Sequence, residues 1–171
     1  MSLLNLLGGL FRRAPAPAPR PPEPVNETAP AVTPAPASPP LSPADRDALV
    51  RTLYGEVRGE PEAGQVAVVH VVRNRVLRAR TGAAFECHRP WQFSCWNGND
   101  PNLPKLLTLQ PTAPAYLALG TVVDRAWTAP DAVQGARHYY VTDMPKPPAW
   151  AVPPAREVAR IGAHSFWAGV A

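Results

Sequence analysis

The sequence predicts an α+β fold: a compact, mainly helical domain with a small antiparallel β-hairpin, preceded by a disordered Pro/Ala-rich tail. Three observations predict it. The stretches 42–61 and 62–80 carry apolar residues at helical spacing and length. Two later stretches, DAVQGARHYYV (131–141) and REVARIGAHSFW (156–167), turn strand-like on either side of a Pro-rich turn. Finally, 12 of the 24 prolines fall between Pro15 and Pro43, where few side chains can pack.

The first helix has ends legible in the sequence. Ser42 is its N-cap, Pro43 suits the first helical position, and Asp45 and Asp47 complement the positive end of the dipole. Gly59 and Pro61 are the expected stop. Leu49, Val50, Leu53, Tyr54 and Val57 form the face to be buried, while Arg51 and Arg58 fall away toward water. Glu56 shares the apolar stripe. An apolar setting penalises the charged form of a carboxyl, and so does the helix's negative end, which makes Glu56 a candidate general acid. The alternative is a Glu at the stripe's edge, paired or solvated.

The chain has 171 residues, 46% of them hydrophobic, which is enough for one domain plus a tail. A net charge of +4 suits an anionic partner without choosing among wall polymer, nucleic acid and membrane. Residues 1–13 hold a short apolar run, Leu3 to Phe11, whose positive charges follow it. That order fits an amphipathic anchor for a membrane or partner protein better than a conventional signal peptide. Residues 14–41 read as an extended, polyproline-like spacer, and the domain of residues 42–171 begins at Ser42.

Glu62 to Arg80 has a Val-rich centre that passes for a strand, but its length and basic end favour a buried helix. His70 there reads as a hydrogen-bonded core histidine rather than a ligand. Asn74 and Arg75 either brace the first helix or meet solvent. Ala83 to Pro104 reads as irregular, with Trp91, Phe93 and Trp96 close together beside strong turn signals. Such rings suit the faces of sugars; the alternative is that Phe93 and one Trp anchor the loop. Cys87 and Cys95 form a candidate disulfide or remain two thiols. With His88 they match no standard zinc spacing, so no metal is expected. Thr112 to Trp127 is a further amphipathic helix, with Thr112 as cap and Gly120 allowing close packing. His138 and His164 lie in the strand-like stretches, either sharing a cleft or serving as structural hydrogen-bonders.

Four blocks then occur in order: YGEVRGEPEAGQVAVVHVVRNRV (54–76), WQFSCW (91–96), GARHYY (135–140) and RIGAHSFW (160–167). Together they resemble the cell wall hydrolase family of the spore cortex-lytic, SleB-like enzymes. The resemblance implies a lysozyme- and transglycosylase-like domain that cleaves the MurNAc–GlcNAc bond of peptidoglycan glycan strands. It implies Glu56, of the YGE triplet, as the catalytic acid. With Glu60, Trp91, Gln92, Phe93, Trp96, His138, Tyr140 and His164 as substrate-binding candidates, it implies action at the cell envelope or periplasm. It requires no cofactor, no nucleic acid and no oligomer. His70 departs from the family, which more often has Asn there, and the Pro-rich spacer stands where a wall-binding repeat would be. A second carboxylate, if used, would come from Glu60, Asp100, Asp131 or Asp143; a lytic transglycosylase needs only one. The rival readings are a metal-dependent amidase or peptidase built on Cys87, His88, His138 and His164, and a non-catalytic wall-binding module.

Overall fold

A computed structural model describes residues 38–170, so the expectations for residues 1–13 and for most of the spacer lie outside the described residues. Helix α1 (Pro43–Glu56) starts as the sequence requires: the Ser42 hydroxyl accepts the Asp45 N–H at 3.1 Å, with Pro43 at the first helical position. Leu49, Val50, Leu53 and Val57 are fully buried, packed chiefly against α3 (Ala83–His88) and α5 (Pro114–Thr128). The helix ends at Glu56, short of Gly59, because Val57 turns its side chain into the core and Arg58 caps the exposed carbonyls. Its Nη1 donates to Tyr54 O at 2.7 Å. Arg51 is not solvated as expected. It is clamped between the Asp47 carboxylate at 2.8 Å, the Leu106 carbonyl and the face of Tyr116.

Helix α2 (Glu62–Ala79) is buried on nearly every side. Val68, Val69, Val72 and Val76 join the main core, whereas Ala67 and Val71 face a second cluster with Val133, Ala136 and Phe166. The strand-like valine run is thus the helical wall between two cores. His70 is the hydrogen-bonded core histidine expected. Its Nε2 donates to Ala126 O at 3.0 Å and its Nδ1 accepts the Ala132 N–H at 3.0 Å, which fixes the tautomer. Arg73 donates to the carbonyls of Trp127 (3.1 Å) and Ala129 (2.6 Å), a cation at the negative end of α5. In α5, Tyr116, Leu119, Val123 and Trp127 are buried as predicted. Ala113, however, occupies the cap position that Thr112 was expected to hold. The bare Cα of Gly120 leaves room for the Arg46 guanidinium, which pairs with Asp124 at 2.7 and 2.8 Å.

Two differences from the expected architecture matter for the site. The stretch 83–104 is not irregular throughout: it contains α3, a single 3₁₀ turn at Ser94–Trp96, and the start of α4 (Leu103–Thr108). The hairpin is a three-stranded antiparallel sheet, since 156–167 folds back on itself. β2 (Arg156–Ile161) turns at Gly162 into β3 (His164–Ala168), which lies between β2 and β1 (His138–Val141). Gly162 has φ +58°, which favours glycine, and the Glu60 carboxylate fills the space its Cβ would need. The β1–β3 register sets Tyr139 opposite Phe166 and Val141 opposite His164. No helix among the described residues is long and apolar enough to cross a membrane.

Burial, and after it the charge of Arg73, holds the His70 imidazole below its ordinary range. The unfolded chain therefore binds a proton below about pH 6.5 that the fold does not. Stability is complete above that pH and falls as the pH drops through it. Urea midpoints at about pH 7.5 and about pH 5.5 should show this decline, and His70→Gln should lessen it, leaving the share of His138, which burial lowers too.

Candidate active site

The site is assembled where the C-terminal end of α1 meets the 3₁₀ turn. Glu56, the last residue of α1, is half-buried, and its Oε1 accepts the Cys95 N–H at 3.0 Å. The Ser94 hydroxyl stands at 3.4 Å from the same oxygen. This approach depends on Gly55. A Cβ there would press into Cys95 Cβ and lie 2.7 Å from its Sγ, closer than non-bonded atoms come. The neighbours of Glu56 are thus partly hydrogen-bond donors, not the apolar wall that the helical stripe implied.

The candidate disulfide does not form: Cys87 and Cys95 are two free, buried thiols. Each is spent on packing, Cys95 against Gly55 and Cys87 in the main core beneath α1. Burial pushes the Cys87 thiol up to about 12, and burial followed by the nearby Glu56 raises Cys95 as well. Both are therefore inert as nucleophiles at neutral pH.

Glu56 opens onto a groove of about 650 Å³ between the 3₁₀ turn and the sheet. Of the residues singled out in the sequence, Trp91, Gln92, His138, Tyr140 and His164 line it. Trp91 is 85% exposed, with a left-handed backbone (φ +66°) that is uncommon for a bulky side chain. It also borders a neighbouring cavity of about 480 Å³ shared with His88 and Trp96. His164 is buried edge-on to Tyr139, ring centroids 5.2 Å apart. Burial, and then the charges of Arg75 and Arg137, push His138 down to about 4, so its ring is neutral at neutral pH.

Other candidates lie elsewhere. Phe93 is a core residue, 2% exposed and packed under the Arg75 guanidinium, so it anchors the loop and does not face the groove. Trp96 gives its Nε1–H to Thr52 Oγ1 at 2.9 Å and faces only the neighbouring cavity. Glu60 lies outside the groove because the chain reverses after Val57; its Oε2 accepts the Ala163 N–H at 3.3 Å, bracing the β2–β3 turn. Asp131 is consumed by the N–H groups of Val133 and Gly135 and by the Asn74 amide. Asp100 caps a turn at Asn102 N, and Asp143 is exposed. Among the described residues, Glu56 is the sole carboxylate lining the groove. Cys87, His88, His138 and His164 do not converge: Cys87 is in the core, His88 lies edge-on to Trp96, and only the other two share the groove.

Of the groove residues that were not site candidates in the sequence, Tyr139, Arg75 and Trp150 carry the most chemistry. Tyr139 lies beside Glu56. Burial, and then the Glu56 charge, raise its phenol well above the usual range and keep it a hydrogen-bond donor. Strand alternation in HYYV carries the signal, since Tyr139 must face opposite to Tyr140. Arg75 is buried, donating its Nε to Arg137 O at 2.6 Å. Trp150 stacks near His138 and Tyr140 at 5.2 and 5.8 Å, from an irregular segment with no periodicity to reveal it.

The site is thus an open, aromatic-lined groove with one half-buried carboxyl. The sequence profile of the cell wall hydrolase family matches residues 59–167, beginning just after Glu56, and the chain belongs to that family. The solved catalytic domain of the Bacillus cereus SleB protein is 26% identical. It aligns over 74% of this chain and 91% of its own, with a TM-score of 0.59. The catalytic domain of the germination-specific lytic transglycosylase SleB from Bacillus anthracis is 27% identical over 73% of this chain and 94% of its own, with a TM-score of 0.56. No curated protein sequence matches the chain. The mainly helical α+β architecture expected from the sequence is the one these domains share.

Gly55→Ala should cost about 1–3 kcal/mol through overpacking against Cys95, lower the melting temperature and displace the Glu56 partner. Gly59→Ala, with nothing within 4 Å of the added carbon, should leave melting and wall clearing near those of the parent.

Proposed function

We propose that the groove cleaves the MurNAc–GlcNAc bond of peptidoglycan as a lytic transglycosylase, with Glu56 as its one catalytic carboxyl. The observation that carries this reading is the lack of a second carboxylate along the groove among the described residues. Hydrolytic glycosidases pair two carboxyl groups, one of which activates water or attacks the sugar. A transglycosylase needs one. Glu56 gives its proton to the glycosidic oxygen as the bond to the anomeric carbon breaks. The resulting carboxylate then takes the proton of the muramic acid C6 hydroxyl, whose oxygen bonds to that same carbon. The products are a 1,6-anhydro end and a free GlcNAc hydroxyl; Glu56 ends protonated, and no water is consumed. The likeness to a SleB domain described as a lytic transglycosylase supports the same choice.

The remaining groups have supporting parts. The Cys95 N–H and the neighbouring Tyr139 phenol orient the carboxyl and stabilise it once it is charged. Trp91 offers a flat apolar face to a sugar ring, with its orientation set by the turn that holds it. Neutral His138 and Tyr140 supply polar edges on the sheet side. The catalytic domain is residues 42–171, acting on wall glycan in the cell envelope and requiring no cofactor.

Mass spectrometry of digested wall should find 1,6-anhydro ends; reducing ends carrying an added water would overturn the transglycosylase reading. Glu56→Gln should lose ~10²–10⁴-fold in turnover while melting like the parent. Trp91→Ala should act mainly on binding, raising KM by an amount on the order of 1–2 kcal/mol, as for an exposed aromatic anchor.

A further inference from the structure

Beside the groove lies a second polar cavity of about 300 Å³, lined by Arg75, Arg78, Arg89 and Arg137 together with Glu86 and His138. Four guanidiniums face one carboxylate there, and His138, pushed down to about 4 chiefly by burial, adds no charge at neutral pH. Four buried side-chain atoms among the described residues lack a hydrogen-bond partner. Three of them, Arg75 Nη1, Glu86 Oε2 and His138 Nδ1, belong to residues that line this cavity. Arg75 is only 8% exposed. Its orientation is fixed by the Arg137 carbonyl at 2.6 Å and by the Phe93 ring 5.1 Å beneath it, which leaves Nη1 unpaired. Glu86 spends Oε1 on the Thr81 hydroxyl at 2.8 Å, while Arg89 stays 3.6 Å from Oε2, too far for a hydrogen bond. Buried polar atoms left this way are costly unless a ligand meets them.

We propose that this pocket binds a carboxylate of the peptide stem on the same glycan strand that occupies the Glu56 groove, an inference resting on the reading of the groove as a peptidoglycan site. Fixed guanidiniums match the two oxygens of a carboxylate. Arg75 and His138 line both pocket and groove, so one ligand can fill the two together. In peptidoglycan, the peptide hangs from the muramic acid lactyl arm and carries the carboxylates that leave the sugar backbone.

The test is calorimetry with three soluble ligands that lack the MurNAc–GlcNAc bond the groove cleaves: a GlcNAc–MurNAc disaccharide bearing its peptide, the same disaccharide without peptide and with a free lactyl carboxylate, and the peptide form with its carboxylates amidated. Each is titrated into the full chain and into an Arg78→Gln/Arg89→Gln variant, changed at two exposed positions, whose melting is compared with the parent's because Arg89 lies 3.6 Å from the buried Glu86 carboxylate. The parent should bind the peptide form about tenfold more tightly than either other ligand, and the variant should shrink that gap to under about threefold. Equal binding of the three by the parent, absent binding, or a gap undiminished in the variant would overturn the proposal. Tight binding of the peptide-free form that is lost in the variant would also overturn it, assigning the pocket to the lactyl carboxylate. Structural damage would weaken all three alike and leave their ratios unchanged. Binding is read without turnover, so an active Glu56→Gln would overturn the proposed function and leave this result standing.

Discussion

The close approach of the Ser94–Trp96 turn to the end of α1 is the contact on which the site depends. Gly55 has no side chain, so Cys95 rests directly on the helix and its N–H meets Glu56. The same turn holds Phe93 in the core and leaves Trp91, two residues earlier, standing in solvent. One missing methyl group thus decides where the carboxyl points, what it bonds to and where the exposed aromatic stands. The two cysteines serve this packing, which explains why a small buried side chain, and not a bridge, occupies each place.

The sheet forms the opposite wall. Because β3 runs between β1 and β2, Phe166 and His164 lie beneath Tyr139 on one face, while Tyr140, Trp150 and Trp167 cluster on the other. The buried face carries the sheet onto α2, and the aromatic cluster borders the groove. Burial does two chemical jobs here: it keeps the Tyr139 phenol protonated and the His138 ring neutral. Tyr139 and His138 therefore meet the groove as uncharged hydrogen-bonding groups at neutral pH.

Much of this was legible in the sequence, for reasons that can be named. The start of α1, the identity of α2 and the buried face of α5 follow from caps and periodicity, which are local. Glu56 was singled out by its place on the apolar stripe together with the YGE triplet of the family resemblance, and His138 and His164 because each sits in a strand-like run. What escaped depends on distant partners. Arg75 looked like a residue leaving the core, and only the later strand β1 and Phe93 make it a buried brace. Glu60 looked like a second carboxylate, yet the turn it supports is formed by residues about a hundred positions on. The third strand was hidden because Gly162 and Ala163 are enough for a reversal, and the run on either side reads as one strand.

Glu60 carries one more implication. It follows Glu56 by only four residues and is bonded to the turn joining β2 and β3. The two banks of the groove, one bearing Glu56 and the other the aromatic sheet, are therefore laced together by a few covalent bonds and one carboxylate. A lacing that short leaves little slack. The spacing between the banks is set when the chain folds.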